Sequence, residues 1–287
     1  MCVKKGINQI QLLFFEKKRR KGIIRLVKNL ILIKLGGSVI TDKGKPFTAK
    51  IPVIKRLAEE IKEAKNRLKN TGFIIGHGSG SFGHTIASKY KTQEGIINRD
   101  SLKGFSLTSE TAVDINRIVL REFLRVGILA VSFSPMSFTY SNKAFLEPIL
   151  KSLELGFVPL IYGDVVFDIE KGFTIHSAEK TLSILARKLR KDYKIEKIIE
   201  CGDTDGVYDS KGKTIPEINS RNFNQVKKGI TGSKSTDVTG GMIHKVKESL
   251  RLTKETKIPT ILINGNKAGN LQKAILGKEV RLTEVAI

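Results

Sequence analysis

Residues 31–38 read Ile-Leu-Ile-Lys-Leu-Gly-Gly-Ser, which is the pattern of a buried β-strand that ends at two glycines. A lysine, Lys34, stands among the apolar residues, and burial of its charge is costly unless a negative group meets it. The glycine pair allows backbone N–H groups to come close to a ligand. Together the buried lysine and the glycine turn predict a phosphate site at the end of this strand.

Two further glycine-rich turns strengthen this interpretation. Residues 73–84 read Phe-Ile-Ile-Gly-His-Gly-Ser-Gly-Ser-Phe-Gly-His, and residues 237–245 read Asp-Val-Thr-Gly-Gly-Met-Ile-His-Lys. Each turn leads into a predicted helix start, where free backbone N–H groups and the helix dipole favour anions. The three turns together therefore strengthen the prediction of a phosphate site.

The alternation of apolar strands and amphipathic helices predicts the fold. Near-continuous apolar strands separated by helices are typical of a parallel sheet covered on both faces, so we expect a three-layer α/β/α sandwich with an open, mainly parallel sheet. Polar residues near 166–175 predict a boundary between an N-terminal lobe, 29–175, and a C-terminal lobe, 176–287. The expected strands are 30–35, 73–76, 128–133, 157–162, 196–201 and 259–263, and the expected helices are 51–69, 83–90, 105–126, 142–155, 178–191 and 241–255.

Composition narrows the class of protein. The 287 residues include 40% hydrophobic residues, and no apolar run is long enough to span a membrane. Cys2 and Cys201 lie far apart and form no metal-binding spacing, which favours a reduced, cytoplasmic setting. The net charge of +23 is high, but the lysines are spread along the chain among glutamates. We therefore expect anionic small-molecule substrates rather than nucleic acid.

The start of the chain differs from the rest. Its first 26 residues carry eight Lys or Arg residues against Glu16 alone. The short apolar stretch 7–15 has basic residues on both sides and no small-residue cleavage site, which argues against a signal peptide. We interpret residues 1–28 as a flexible basic tail, or as upstream sequence included through a mis-assigned start, with a membrane-surface helix as an alternative.

Removal of residues 1–26 should leave both the catalytic activity and the melting temperature nearly unchanged, because this segment lacks the periodicity of a core element. The truncated and full-length proteins can be compared by thermal melting and by initial rates. A large loss of either quantity would show that the tail packs on the protein or takes part in its function.

The three glycine turns resemble, in order and chemistry, those of the amino acid kinase family. Within that family, residues 78–84 and 233–242 look most like the isopentenyl phosphate kinases, and the resemblance extends from about Leu30 to the C-terminus. The resemblance implies ATP-dependent phosphorylation of isopentenyl phosphate to isopentenyl diphosphate, a step of isoprenoid synthesis. It also implies that the N-terminal lobe binds the acceptor, that the C-terminal lobe binds ATP, and that the protein forms a homodimer.

The resemblance assigns roles to five residues of this sequence. It implies that Lys34 touches the transferring phosphate, that Lys43 reaches the γ-phosphate, and that Lys245 contacts the donor phosphates. It implies that His84 binds the phosphate of the acceptor. Glu179 occupies the position of an aspartate that is thought to hold the active-site lysines in place.

Two larger sets of binding residues follow from the same resemblance. The implied ATP-binding residues are Lys34, Leu35, Gly36, Gly37, Ser38, Gly80, Asp203, Asp205, Gly240, Gly241 and Lys245. With ATP we expect magnesium, bound to phosphate oxygens and water rather than to a set of protein ligands. The implied substrate-binding residues are Ser79, Gly80, Gly83, His84 and Gly163, and the candidates for an apolar wall are Phe82, Ile86, Phe133, Met136 and Phe138.

The sequence departs from the family pattern at two places. Residues 177–180 read Ser-Ala-Glu-Lys where the family typically has Ser-Gly-Asp-Asp, so Glu179 keeps the first charge on a longer stem and Lys180 reverses the second. Ser177 can still cap the following helix. Ser79 replaces a glycine, and we expect its side chain either to crowd the acceptor phosphate or to hydrogen-bond it, and to strain a left-handed backbone.

Two alternative functions remain open, and one alternative fold is disfavoured. Another small-molecule kinase of the same family would have a different acceptor, and a non-catalytic nucleotide or metabolite sensor would bind ATP without turnover. Residues 78–83 also match the GxGxxG pattern of dinucleotide-binding folds. That pattern requires an acidic residue at the end of a second strand about 20 positions later. Here residues 94–100 are polar and not strand-like, which disfavours it.

Overall fold

A computed structural model describes residues 27–141, 143–230 and 241–287. The predicted basic tail, apart from residues 27 and 28, lies outside the described residues, and so does Gly240. No helix in the described part of the chain is long and apolar enough to cross a membrane.

An eight-stranded sheet forms the centre of the molecule. Its strands are β1 (Asn29–Leu35), β2 (Thr71–His77), β3 (Ala130–Phe133), β6 (Val158–Tyr162), β9 (Lys194–Gly202), β10 (Glu217–Ile218), β11 (Thr260–Asn264) and β12 (Leu282–Val285). The order across the sheet is β10-β12-β11-β9-β1-β2-β6-β3. Neighbouring strands are parallel except β11 and β12.

Ten helices connect and cover the strands in the described ranges, and a 3₁₀ turn spans Thr92–Glu94. Ser177 caps its helix as predicted, because its Oγ accepts a hydrogen bond from the backbone N–H of Lys180 at 3.3 Å. The helices are α1 (Gly37–Ile40), α2 (Ile51–Arg67), α3 (Gly80–Lys89), α4 (Ser101–Arg125), α5 (Pro135–Phe138), α6 (Glu147–Glu154), α7 (Ala178–Leu189), α8 (Phe223–Ile230), α9 (Gly241–Thr256) and α10 (Asn270–Ile275).

Strand β1 separates two hydrophobic layers because successive side chains of a strand point to opposite faces. Ile31, Ile33 and Leu35 pack with apolar residues of α2, α4 and α10. Leu30 and Leu32 pack instead with residues of α6, α7 and α9. The predicted three-layer α/β/α sandwich is confirmed. Lys34 continues the second row, so its side chain emerges on the face covered by α7.

Two short hairpins lie outside the main sheet. Strands β4 (Thr139–Tyr140) and β5 (Lys143–Ala144) form one, and β7 (Asp164–Asp168) and β8 (Gly172–His176) form the other. The polar segment 166–175, which we interpreted as a break between lobes, is therefore an ordered hairpin. The turn residues Asp168 and Gly172 explain the polarity of the segment: the Asp168 carboxylate accepts hydrogen bonds from the next backbone N–H groups, and Gly172 has a positive φ of 76°.

The main sheet runs without interruption across the predicted lobe boundary. Strands β1, β2, β3 and β6 come from residues 29–175, whereas β9 to β12 come from residues 176–287, and the two groups join where β1 pairs with β9. The carboxyl ends of β1, β2, β9 and β11 point to one edge because these strands are parallel. The division of the chain into an acceptor lobe and an ATP lobe stays a prediction.

Candidate active site

The first two glycine turns contact each other backbone to backbone at the carboxyl ends of β1 and β2. A Cβ atom added to Gly37 would lie 2.5 Å from the backbone nitrogen of Gly80. Gly80 has a φ of +51°, and a Cβ atom there would lie 2.0 Å from Thr41 Oγ1. Because side chains are excluded at both positions, backbone N–H groups of the two turns can be presented at the same edge of the sheet.

Lys34 occupies the end of β1 and forms an ion pair with Glu179 at the start of α7. The lysine side chain is only 8% exposed, whereas the glutamate side chain is 32% exposed. The structure thus confirms the expectation that a negative group meets the buried lysine. Because Glu179 lies in the first turn of its helix, the helix dipole also favours its charge.

The ion pair shifts the pKa values of both groups. Burial alone would lower the pKa of Lys34, but the carboxylates of Glu179 and Glu200 outweigh it, so the pKa is raised. Burial acts to raise the pKa of Glu179, but the charge and hydrogen bond of Lys34, with a smaller effect of Lys245, lower it to about 2. Both groups are therefore charged at neutral pH.

A small cavity opens beside this pair at the ends of β9 and β11. Lys34, Glu200 and Lys245 contribute the charged groups of its lining, and Lys245 comes from the first turns of α9. The remaining lining residues are Cys201, Gly202, Thr204, Met242, Leu262 and Ile263. The structure therefore brings Lys34, Glu179 and Lys245 together, as the proposed roles require.

The other predicted ATP-binding side chains lie at the same edge. Lys43 Nζ donates a hydrogen bond to Asp203 Oδ2 at 3.0 Å, and the lysine side chain is 69% exposed. Asp205 is buried; its Oδ2 atom accepts from Lys267 Nζ at 2.7 Å, and its Oδ1 atom has no partner in the described residues. Lys43 is thus free to exchange a surface carboxylate for a ligand at little cost, because exposed ion pairs are weak.

Three of the predicted substrate-binding residues, Ser79, Gly83 and Gly163, contact one another around the second turn. Ser79 Oγ donates a hydrogen bond to the carbonyl oxygen of Gly163 at 2.7 Å. A Cβ atom on Gly83 would lie 2.7 Å from Ser79 Cβ, so the turn is closely packed. The expectation that Ser79 strains a left-handed backbone is wrong: its φ of −82° and ψ of −15° are right-handed helical, and the positive φ falls on Gly80.

His84 lies in the first turns of α3, four residues after the helix begins at Gly80. Its side chain is exposed, unlike those of Ser81 and Phe82, which are buried. At this helix start the Ser81 N–H donates to Thr41 Oγ1 at 3.0 Å and the Phe82 N–H donates to the Ser79 carbonyl oxygen at 3.1 Å, so it is the exposed imidazole that would meet a phosphate here. Among the apolar wall candidates, Phe82 and Phe138 pack in different core clusters.

A family model, the Amino acid kinase family, matches residues 29–264. The chain belongs to the amino acid kinase family. The match spans both glycine turns, the Lys34–Glu179 pair and most of the sheet, so the predicted family is confirmed. As a kinase of the amino acid kinase family, the protein uses ATP.

Several relatives carry the name isopentenyl phosphate kinase. An isopentenyl phosphate kinase of Methanocaldococcus jannaschii is 36% identical and covers 89% of this chain and 98% of its own length. The isopentenyl phosphate kinase of Methanothermobacter thermautotrophicus is 34% identical over the same shares. A solved structure described as isopentenyl phosphate kinase superposes with a TM-score of 0.75 at 31% identity and covers 90% of this chain and all of its own.

The sequence analysis did not predict two groups of buried or partly buried polar residues near the kinase site. Glu200 stands in the apolar stretch Ile198-Ile199-Glu200-Cys201, and a charge in a buried strand is the signal that identified Lys34. Asp164 and His176 are register partners in the β7–β8 hairpin, and they are 2% and 5% exposed. Asp164 follows Gly163 directly, so a buried carboxyl lies next to the predicted acceptor site.

The buried environment of Asp164 and His176 favours the neutral form of both side chains. Burial raises the pKa of Asp164 to about 7, even though the carboxylate accepts hydrogen bonds from the Val165 N–H at 2.7 Å and from Ser109 Oγ at 3.2 Å. Burial, with a smaller effect of Lys180, lowers the pKa of His176 to about 4. The Nε2 atom of His176 has no hydrogen-bond partner among the described residues.

Asp164→Asn should stabilise the folded protein at alkaline pH. The folded pKa of Asp164 is raised, so the favourable protonated state is present at low pH and is lost as pH rises from 3.8 through about 7. An asparagine has no charge to bury: its Oδ1 can accept from the Val165 N–H, and its Nδ2 can donate to Ser109 Oγ where the carboxylate accepted from it. Since one pKa unit corresponds to about 1.4 kcal/mol, we expect the variant to gain roughly 2–4 kcal/mol in the free energy of unfolding near pH 8.

The gain can be measured by urea unfolding near pH 4 and pH 8, with little difference between the two proteins expected at the lower pH. Asp168→Asn is the matched control in the same hairpin, because backbone N–H groups lower the pKa of that exposed carboxylate and its loss should not stabilise. Equal stability of Asp164→Asn and the parent near pH 8 would contradict the assigned burial of charge.

Proposed function

We propose that this protein transfers the γ-phosphoryl group of ATP to the phosphate of isopentenyl phosphate and forms isopentenyl diphosphate. The observation that carries the proposal is the single edge of the sheet at which a buried lysine–glutamate pair, a second lysine and two packed glycine turns converge. The names of the relatives support the same acceptor. The reaction belongs to isoprenoid synthesis.

The proposed mechanism relies on charge compensation and alignment rather than on covalent chemistry. Lys34 and Lys245 offset the charge that develops on the transferring phosphoryl group, and Lys43 leaves Asp203 to meet the γ-phosphate. Backbone N–H groups of the glycine turns bind phosphate oxygens. No general base is required, because the attacking oxygen of a phosphate acceptor is already an anion.

His84 supplies acceptor recognition in this proposal. Its imidazole donates a hydrogen bond to the acceptor phosphate near the start of α3, where the helix dipole favours an anion. Gly163 and Ser79 bound the acceptor from the opposite side, where their mutual hydrogen bond fixes the width of the turn. Kinases of carboxylate acceptors do not need a histidine at this position to donate a hydrogen bond to an acceptor phosphate. The presence of His84 therefore favours a phosphorylated acceptor.

Magnesium fits the proposed site as an ion held mainly by the triphosphate. No cluster of three or more His, Cys, Asp or Glu side chains suited to a metal occurs among the described residues. Mg²⁺ retains waters and binds substrate phosphates, so triphosphate oxygens and water can hold the ion here without a dedicated set of protein ligands. When bound, the ion neutralises phosphate charge and orients the γ-phosphoryl group.

The proposal divides the binding functions between the two halves of the chain. His84, Ser79 and Gly163 come from residues 29–175, whereas Asp203 and Lys245 come from residues 176–287. We further propose a homodimer, which light scattering can test, and a cytoplasmic location, in keeping with the buried free thiol of Cys201.

A panel of acceptors tests the proposed function. The purified protein is incubated with ATP, Mg²⁺ and, separately, isopentenyl phosphate, dimethylallyl phosphate, fosfomycin, glutamate or acetylglutamate, and ADP release is followed. We expect the highest kcat/KM with isopentenyl phosphate. A preference for a carboxylate or phosphonate would assign another kinase activity of the family. ATP binding without turnover on any acceptor would favour a nucleotide sensor.

A further inference from the structure

Glu200 lies directly beside Lys34 in the main sheet. The two residues are register partners on the adjacent parallel strands β9 and β1, so their side chains emerge on the same face. Ile198, two positions earlier on β9, packs with α7 and α9, whereas Ile199 and Cys201 pack on the opposite face. Alternation along the strand therefore places Glu200 under the helices that carry Glu179 and Lys245.

The carboxylate of Glu200 is partly buried but has no direct hydrogen-bond or ion-pair partner within the described part of the protein. It lines the cavity between Lys34 and Lys245, yet no hydrogen bond or ion pair to it occurs among the described residues. Glu179, by contrast, is committed to a direct pair with Lys34. Burial of a carboxylate is unfavourable, so a half-buried one without a direct partner needs compensation from nearby charges.

We propose that Glu200 is a second positioning residue of the kinase site, which acts with Glu179 to hold Lys34 and Lys245 charged and correctly placed for phosphoryl transfer. This inference rests on the proposed role of the two lysines. The four groups form a set with two positive and two negative charges, and an internally neutral set is far less costly to bury than an unbalanced one.

The charges around Lys34 come from three elements. Glu179 faces it from α7, Glu200 from β9 and Lys245 from α9, whereas the β2 register partner is the uncharged Gly76. The next residue on β9, Cys201, is a neutral thiol because burial raises its pKa. Burial is the largest single effect on the pKa of Lys34 and lowers it, but the two carboxylates together outweigh burial and raise the pKa. Burial in turn raises the pKa of Glu200, and the two lysines oppose this rise.

Loss of the Glu200 charge should affect ATP affinity and turnover in opposite directions. Near neutral pH, Lys34 is still protonated and a carboxylate that repels the triphosphate is gone, so Glu200→Gln should bind ATP at least as tightly as the parent. The lysines are less well fixed, so kcat should fall roughly tenfold. A purely structural defect would be expected to weaken binding and turnover together.

The pH dependence provides a second readout. The pKa of Lys34 should fall when Glu200 is neutral, because burial is then less strongly opposed. ATP affinity and kcat of Glu200→Gln should therefore decline on the alkaline side at a lower pH than in the parent, in which Lys34 stays charged to beyond its ordinary value of 10.5. Glu200→Asp restores the charge and should recover part of the parental profile.

The test compares Glu200→Gln, Glu200→Asp and the parent protein, with Glu196→Gln as the matched control. Glu196 lies on the same strand near its start, beside Lys197, and should behave as the parent. Calorimetric titration with ATP from pH 7 to pH 10.5 gives Kd, and initial rates give kcat. If Glu200→Gln does not fold, Glu200→Asp carries the comparison, with a smaller shift in the same direction.

The proposal would be overturned if Glu200→Gln had the kcat of the parent and lost ATP affinity at the same alkaline pH as the parent. It would also be overturned if Glu200→Gln and Glu196→Gln lost kcat to the same extent. The titration requires no acceptor, so its outcome is independent of acceptor identity. Absence of isopentenyl phosphate turnover in the parent would reject the proposed function, whereas an unchanged pH profile of ATP binding would reject the role of Glu200.

Discussion

Glu179→Gln should reduce kcat by roughly 10²- to 10³-fold, while the Kd for ATP changes only a few-fold. Lys34 is almost fully buried and Glu179 is its direct partner, so the substitution leaves a buried charge without its strongest compensation. The glycine turns and Lys245 remain to bind ground-state ATP. The loss therefore falls on the geometry of the transition state.

Kinetics and calorimetry on the same preparations separate these two effects. Glu255→Gln is a suitable control, because it breaks another carboxylate pair to α7, the surface contact of Glu255 with Arg187 at 2.6 Å, far along the helix from the site. Glu179→Asp restores the residue typical of the family and should match or exceed the parental rate. Full activity of Glu179→Gln would show that the carboxylate does not organise the lysines.

His84→Ala should lower kcat/KM for a phosphorylated acceptor by roughly 10²-fold or more, the scale of losing one well-placed donor. The exposed imidazole lies in the first turns of α3, the helix that begins directly after Ser79, and we assign the acceptor phosphate to this helix start. The KM for ATP should change little, because the substitution leaves the side chains assigned to ATP, Lys34, Lys43 and Lys245, untouched.

Initial rates at varied isopentenyl phosphate and saturating ATP measure this effect. His84→Gln keeps an N–H donor at the same position and should retain more activity than His84→Ala, which separates donation from the shape of the pocket. A kcat/KM for His84→Ala equal to that of the parent would remove the histidine from the acceptor site.

Much of the fold could be predicted because β1 and its neighbours have strong, uniform patterns. Strand β1 was expected at 30–35 and spans Asn29–Leu35, and α2 was expected at 51–69 and spans Ile51–Arg67. Buried parallel strands and long amphipathic helices each contain enough apolar positions to fix their period. The position of Lys34 could also be predicted, because a lysine within a buried strand requires a negative partner.

The remaining features depend on contacts between distant segments. The backbone of Ser79 is relaxed because Gly80 takes the left-handed conformation, and that choice follows from the close approach of the Gly37 turn 43 positions earlier. The β7–β8 hairpin carries polar residues at its turn, which conceal its strands. Glu200 gains its meaning only from the strand register that places it beside Lys34.

Phosphorus-31 NMR of a reaction of the parent protein with ATP, Mg²⁺ and isopentenyl phosphate tests the central claim most directly, since it identifies the bond that forms. The account predicts that the single phosphate-monoester resonance is replaced by two mutually coupled resonances of a diphosphate, with one ADP formed for each diphosphate. An unchanged monoester resonance, with ATP either intact or hydrolysed to inorganic phosphate, would contradict the account.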